Sequence, residues 1–313
     1  MCLPLNLLAD ARNMIDYRTF LQIYFHIPKE CILTVQLPNN VSPTKLESLR
    51  SVRAVLLDMD GVVYVGESPL PGVQPFLDYL EATGRHWLCV TNNSSKTPAM
   101  FVEKLQRMNV RAHTENVLGS AQATATWMAE QFPQRGKAVM IGEEGLRSAL
   151  LENGFELTES EHDADFAVVG INFDLRYEHL ARAALAIRNG ARFIGTNHDP
   201  SFPSERGQVP GTGSILALIA TATGVQPTII GKPNAGMYDQ ALHRLGVTAP
   251  QTLMVGDRYD TDIAGAIELG MTTVGVLTGV TKRESFEREN PPPHFILDNI
   301  PTLLALMQQA DNQ

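Results

Sequence analysis

From Arg53 onward, short apolar runs closed by Gly, Asn, Asp or Thr alternate with longer stretches whose apolar residues recur every three or four positions. A run of four to six apolar residues has the length of a strand buried on both faces. The stretches between have the period of an amphipathic helix, so the alternation predicts parallel strands joined by crossover helices. Strands are expected at 54–58, 87–90 and 117–119, with helices at 73–83, 98–108 and about 121–131. In the second of these helices Phe101, Val102, Leu105 and Met108 lie at helical spacing. Near Phe132-Pro133-Gln134-Arg135-Gly136 the pattern restarts, giving strands 138–141, 166–169 and 192–195 and helices 146–152, 177–189 and 212–223. After a second break at Gln226-Pro227 the alternation resumes. Strands 228–230, 252–255 and 272–277 then alternate with helices 235–245 and 260–269, and a terminal helix starts at about 301.

These breaks divide the chain into an N-terminal arm (1–51), a core made of 52–134 and 228–313, and an inserted α/β unit (135–227). The expected fold class is α/β: a doubly wound, Rossmann-like parallel sheet with an inserted α/β cap. If the flanking pieces share one sheet, the insertion leaves one end of it and can act as a lid. Ligands of open parallel sheets bind beyond the carboxyl ends of the strands.

A chain of 313 residues is long enough for two domains of roughly 100–200 residues each. Its 25 basic and 34 acidic residues leave it mildly acidic. It has no Lys/Arg cluster of the kind that binds nucleic acid or an anionic membrane. Cys2, Cys31 and Cys89 are an odd number without framework spacing, and Cys89 lies inside an apolar strand, where packing accounts for it. The start of the chain is less regular. Met1 to Leu8 is somewhat apolar, but Asp10 and Arg12 follow too soon for a signal-peptide core, and no apolar run reaches membrane-spanning length. Phe20 to Leu37 is interrupted by Pro28, Lys29 and Glu30. The expectation is a loosely attached arm with a short strand or helix, or a start codon assigned too far upstream. The protein is expected in the cytoplasm, where the Asn-x-Ser sequons at Asn92 and Asn93 are chance matches.

Candidate chemistry gathers at the strand ends. The first strand stops at Asp58-Met59-Asp60-Gly61. Residues i and i+2 of a strand share a face, so Asp58 and Asp60 are expected to project together until Gly61 turns the chain away. Two carboxylates that close repel one another unless a cation lies between them. A divalent metal would remove that conflict, leaving one acid as nucleophile and the other as proton carrier. An isolated Asp-x-Asp-Gly also occurs by chance, so the weight rests on partners downstream. Thr91 ends the next strand, where its hydroxyl and the following backbone N–H groups could grip an oxyanion; a plain turn residue is the alternative. Lys232, in Ile230-Gly231-Lys232-Pro233, ends a buried run and calls for an anionic partner, unless it is an ordinary surface lysine. Asp257 follows the apolar strand Leu253-Met254-Val255-Gly256, placed as a hard-cation ligand. Asp262 could reach the metal's waters, and Asp260 is the expected N-cap of the next helix.

Leu57-Asp58-Met59-Asp60-Gly61-Val62, Val90-Thr91-Asn92-Asn93, Gly231-Lys232-Pro233 and Gly256-Asp257 with Thr261-Asp262 together resemble the four ordered motifs of the haloacid dehalogenase (HAD) superfamily. The resemblance runs from about residue 52 to the end of the chain. Thr196-Asn197-x-Asp199, Pro210-Gly211-Thr212-Gly213-Ser214 and Gly256-Asp257-Arg258-x-x-Thr261-Asp262 resemble subfamily IIA, which carries a large cap between the second and third motifs. That group includes nucleotide, sugar-phosphate, nitrophenyl, phosphoglycolate and pyridoxal phosphate phosphatases.

The resemblance implies that Asp58 attacks phosphorus and that Asp60 protonates the leaving oxygen and then activates water. Mg²⁺ would be held by Asp58, Asp257 and the backbone carbonyl of Asp60, with Asp262 reaching it indirectly. Thr91, Asn92 and Lys232 would hold the phosphoryl oxygens. The substrate is then a small phosphorylated metabolite. Its leaving group would be read near Asn197, His198 and Asp199 and near Gly170, Ile171 and Asn172, although His198 could equally be an ordinary loop residue. Dimerisation through the cap follows only by analogy. A mutase would suit a cap between the first two motifs, but residues 61–90 have room only for a turn and one helix. Gly211 and Gly213 do not complete a dinucleotide loop, because no strand ends just before them and no third glycine follows. The alternative from another class is a phosphate-binding or signalling protein that keeps the acidic site without turning over.

Overall fold

The strand Ala54–Leu57 is buried at every residue because it has a parallel neighbour on each side and packed side chains over each face. The protein is described here by a computed structural model covering residues 42–204 and 206–312. Cys2, Cys31, most of the expected arm and its apolar stretch at 20–37 lie outside the described residues. Six parallel strands form the main sheet in the spatial order Phe295–Leu297, Thr272–Val276, Thr252–Gly256, Ala54–Leu57, His86–Thr91, Val117–Gly119. The chain thus builds outward in one direction from its first strand, then returns to that strand's other side and builds outward again. The reversal falls between Ala54–Leu57 and Thr252–Gly256, the kind of point at which open α/β sheets bind ligands.

Alternation along the central strand sends Val55 and Leu57 into one apolar layer and Leu56 into the other. The first layer is closed by the helices Val73–Ala82, Pro98–Arg107 and Ile300–Asp311. Part of the expected arm also belongs to it. Pro43–Arg50 is a helix whose N-cap Ser42 accepts from the Lys45 amide, with Pro at the first helical position. Its Leu46 and Leu49 are buried in the same layer as Leu303, Leu306 and Met307 of the terminal helix.

A second, smaller sheet is also wholly parallel, in the order Thr228–Ile229, Arg192–Gly195, Phe166–Val169, Lys137–Ile141, Glu156–Leu157. One face packs on the helices Tyr177–Arg188 and Thr212–Thr223. The other contributes Ala138, Phe166, Val168 and Ile194 to an apolar cluster that also holds Leu56, Leu88 and Val90 of the main sheet. The seam between the two sheets is the helix Ser120–Gln131 against Glu144–Glu152. The strand at 228–229, which the sequence pattern groups with the returning core segment, hydrogen-bonds to Ile194 and Gly195 of this smaller sheet. The chain crosses back only at Gly231, whose N–H donates to the Thr196 carbonyl (2.8 Å).

Other elements depart from the periodicity for local reasons. Tyr64–Val65 and Ser68–Pro69 form a hairpin too short to show an alternating pattern, as do Ser201–Ser204 and Gly207–Pro210 with their polar and proline content. The expected helix 260–269 begins as one wide turn, Tyr259–Ile263, with Ala264 N–H bonded to the Tyr259 carbonyl, and becomes regular only at Ala264–Glu268. Asp260 therefore does not cap it. No described helix is long and apolar enough to cross a membrane.

Leu49 is fully buried at the contact between the first described helix and the last. Leu49→Ala should lower unfolding stability by about 2–5 kcal/mol, measured by urea denaturation. A change below about 0.5 kcal/mol, the range of surface substitutions, would place helix 43–50 outside the cooperative core.

Candidate active site

The pairing of the first strand ends where its chemistry begins. Asp58 N–H still donates to the Val255 carbonyl (2.9 Å), but the next carbonyl, Met59, accepts from the amides of Val63 (2.9 Å) and Tyr64 (3.1 Å). The chain has already turned. Gly61 holds this turn at φ +85°, and a Cβ on it would stand 2.7 Å from Cγ of Asp257, so neither the conformation nor the space admits a side chain.

The expected crowding of Asp58 by Asp60 is not what the structure places there. The carboxylates that adjoin Asp58 are Asp257 and Asp262, whose ligand oxygens lie with its own within 4.8 Å of one another. The expected i, i+2 relation fails because the strand stops at Asp58 and Asp60 belongs to the turn. Asp60 is exposed. Protein packed around its carboxyl still raises it above the ordinary range, against the pull of Lys104, Tyr64 and Lys96.

Lys232 joins the acids. Its Nζ donates to Asp58 Oδ1 (2.6 Å), Asp262 Oδ1 (2.7 Å) and the Val90 carbonyl (3.0 Å), and the residue is 1% exposed. Burial alone would favour loss of its proton, but Asp262 and Asp58 outweigh that and hold it charged far above the usual lysine range. The acids are pushed the other way. Burial, then repulsion from Asp262 and Asp257, raises Asp58 well above the carboxylate range despite Lys232. Asp257 is pushed up to about 7, by burial first and Asp262 second, against the Val280 amide, Lys232 and Arg258.

This donor set suits a hard divalent cation. It offers only oxygen, from three carboxylates within reach of one point, with one ammonium to offset them. Asp257 is fixed for the task by the Val280 N–H on its Oδ2 (2.7 Å) and by Gly279, where any Cβ would overlap the carboxylate. Asp262 Oδ2 accepts the Arg258 N–H (3.1 Å), and its backbone carbonyl takes the buried Tyr238 hydroxyl (2.8 Å).

Thr91 is buried at the end of its strand. Its Oγ1 accepts the Asn93 N–H (3.2 Å), which leaves the hydroxyl proton available to an oxyanion. Asn92 spends its amide on protein: Nδ2 donates to the Lys232 carbonyl (2.9 Å) and to Asp199 Oδ2 (3.1 Å). Among the cap candidates, Asn197 is buried, and its Nδ2 donates to the Asn92 carbonyl (2.7 Å) while its Oδ1 accepts the Asp199 N–H (3.1 Å). His198 is exposed, and Asp199 reaches the core. Ile171 N–H donates to Ser94 Oγ (3.2 Å), and Asn172 Nδ2 to the Gly142 carbonyl (3.0 Å).

Sequence reasoning quoted Arg258 in a subfamily motif but gave it no role, although it faces Asp199 (3.7 Å) and Asp260 (2.8 Å). It passed over Lys104. That ammonium sits 3.8 Å from the centre of the Tyr64 ring and pairs with Glu67 (3.5 Å), but on a helix it reads as an ordinary polar position. Gly279 carries no signal without the fold.

A family model described as haloacid dehalogenase-like hydrolase matches residues 55–156, and a second, HAD-hydrolase-like, matches residues 229–303. An acid sugar phosphatase of Staphylococcus aureus is 42% identical over 262 residues, spanning 83% of this chain and 100% of that one. A 4-nitrophenylphosphatase structure from Thermotoga maritima superposes with a TM-score of 0.78 at 35% identity, covering 82% of this chain and 98% of its own. A hypothetical protein from Pyrococcus horikoshii gives 0.77 at 40% identity, over 80% and 98%.

Asp58 and Asp257 titrate higher folded than unfolded, where a value near 3.8 applies. Between pH 4 and 7 the folded state therefore holds protons that the unfolded state has released, and stability falls as pH rises. Without metal, the melting temperature should drop between pH 5 and 8, and millimolar Mg²⁺ should flatten the decline by replacing those protons. A metal-free profile that is flat or rising would show that these carboxylates are not crowded.

Proposed function

This chain belongs to the haloacid dehalogenase-like hydrolase family, and on that premise we propose that it is a Mg²⁺-dependent phosphomonoesterase acting on a small phosphorylated metabolite through an aspartyl-phosphate intermediate. The observation that carries the reading is the buried ammonium of Lys232 on Asp58 Oδ1, with Asp257 and Asp262 beside it. One carboxylate is thereby fixed at a strand end with its second oxygen uncommitted to the lysine.

Asp58 attacks phosphorus through that oxygen as the bond from phosphorus to the leaving oxygen breaks. Asp60, whose raised carboxyl retains a proton more readily than an ordinary aspartate, gives that proton to the departing oxygen. The same carboxylate then takes a proton from water as the water oxygen attacks phosphorus, releasing phosphate and restoring Asp58. The Thr91 hydroxyl donates to a phosphoryl oxygen, and Lys232 holds Asp58 in line while opposing the charge gathered there. Asp58, Asp257 and the Asp60 carbonyl would hold Mg²⁺, which when bound neutralises charge on the transferred oxygens.

The sugar phosphatase and nitrophenylphosphatase names of the relatives make sugar phosphates and p-nitrophenyl phosphate the first substrates to assay. Turnover should require Mg²⁺ and stop with chelator. Asp58→Asn should reduce kcat by about three orders of magnitude or more. Asp60→Asn should lower kcat/KM, which reports formation of the phosphoenzyme, far more for a sugar phosphate than for p-nitrophenyl phosphate, because nitrophenolate departs without a proton; kcat should fall for both through the shared hydrolysis of that intermediate. Equal losses of kcat/KM on both would remove Asp60 as the acid. Binding of phosphate without turnover of any ester by metal-loaded protein would favour the non-hydrolytic alternative.

A further inference from the structure

Two cap residues touch the core loops that carry the chemistry, Asn197 through the Asn92 carbonyl (2.7 Å) and Asp199 through its carboxylate. Asp199 follows the cap strand Arg192–Gly195, and its backbone is held on both sides. Its N–H donates to Asn197 Oδ1 (3.1 Å), and its carbonyl accepts the Gly213 N–H (2.9 Å) in the first turn of helix Thr212–Thr223. Gly211 and Gly213 allow this seat, since a Cβ on either would strike the backbone of residues 198–201.

From that seat the carboxylate crosses to the core. Oδ2 accepts from Asn92 Nδ2 (3.1 Å), the residue after Thr91. Oδ1 has no hydrogen-bond donor and lies 3.7 Å from Nη1 of Arg258, the residue after Asp257. The same Asn92 amide donates to the Lys232 carbonyl (2.9 Å), so a single cap side chain is tied to three of the four core segments.

We infer that Asp199 is a positioning residue, a latch that couples the seating of the cap to the placement of the Thr91–Asn92 and Asp257–Arg258 loops. A carboxylate withdrawn from water needs its partners, and here the partners stand on the other unit, so cap position and loop position become one equilibrium. Substrate contact is a poorer use of the group. A phosphorylated substrate is anionic, and one oxygen is already taken by Asn92 while the other faces Arg258. The kinetic part of the test rests on the phosphatase reading above; the exchange part does not.

The test compares Asp199→Asn, Arg258→Gln, the double variant and Asp260→Asn, using p-nitrophenyl phosphate, a sugar phosphate and amide hydrogen exchange. Asp199→Asn and Arg258→Gln should each lower kcat/KM about 10- to 100-fold, in the same ratio for both substrates and chiefly through kcat. The double variant should be no worse than the poorer single one, as expected for two groups acting together. Amides of residues 91–95 should exchange faster in all three. Asp260→Asn, which removes only the exposed partner of Arg258, should match the wild type. Additive losses, a loss confined to KM for the sugar phosphate, or unaltered exchange at 91–95 would each overturn the latch. Should one single variant fail to fold, the other reports the same pair from the opposite side. If the wild type turns over no ester, the phosphatase reading fails while the exchange comparison still decides the latch.

Discussion

The ammonium of Lys232 is the contact on which the site depends. Placing a lysine at 1% exposure costs several kcal/mol of lost hydration, and its two carboxylate partners and a backbone carbonyl offset that cost only if all converge on one point. The partners come from different parts of the chain: Asp58 from the first core strand, the Val90 carbonyl from the second, and Asp262 from beyond the fourth. Convergence therefore demands the whole sheet in register. Once their protons are displaced, three carboxylates against one ammonium leave two negative charges in a space with little water, which a divalent cation balances and a monovalent one does not.

Topology explains why these groups can meet at all. The sheet builds outward twice from its first strand, so the C-terminal ends of Ala54–Leu57 and Thr252–Gly256 lie side by side although nearly two hundred residues separate them. Chain segments leaving those ends diverge above and below the sheet, which opens a crevice where Asp58 and Asp257 face each other. The cap departs from the far side of this sheet and returns through Gly231 immediately before Lys232. It also shares an apolar cluster with Leu56, Leu88 and Val90. Its seating is thereby coupled to the strands whose ends carry the chemistry.

What was legible in the sequence follows from what repeats. The core strands and most helices are plain in the pattern because strands buried on both faces must be continuously apolar, and their crossovers must show a helical stripe. Short hairpins such as Tyr64–Pro69 bury too little to leave such a mark. The acids and the lysine were legible as polar residues ending apolar runs, where only function or a partner explains them. Their mutual arrangement was not. The rule that i and i+2 share a face assumes a strand continuing past Asp58, whereas the Met59 carbonyl already belongs to a turn. Asp260 looked like a cap by position, but the turn at Tyr259–Ile263 is wide, and Asp262 instead receives the Arg258 N–H. The helix at 43–50 carries a Ser-Pro start and two buried leucines, too few for periodicity to separate it from an arm.

The glycines around the acids show why the geometry is held so closely. A side chain at Gly61 or Gly279 would run into the Asp257 carboxylate, and one at Gly256 into Asp262. Backbone from three segments thus walls the acids directly, with no flexible side chain between. Such a wall cannot relax much when charge moves. The Val280 and Arg258 N–H groups that point at Asp257 and Asp262 are fixed in the same way. Dipoles that are already oriented need no reorganisation as charge develops. A site built this way places its rigidity in the core, while exposed cap groups such as His198 can change without disturbing Lys232 and its acids.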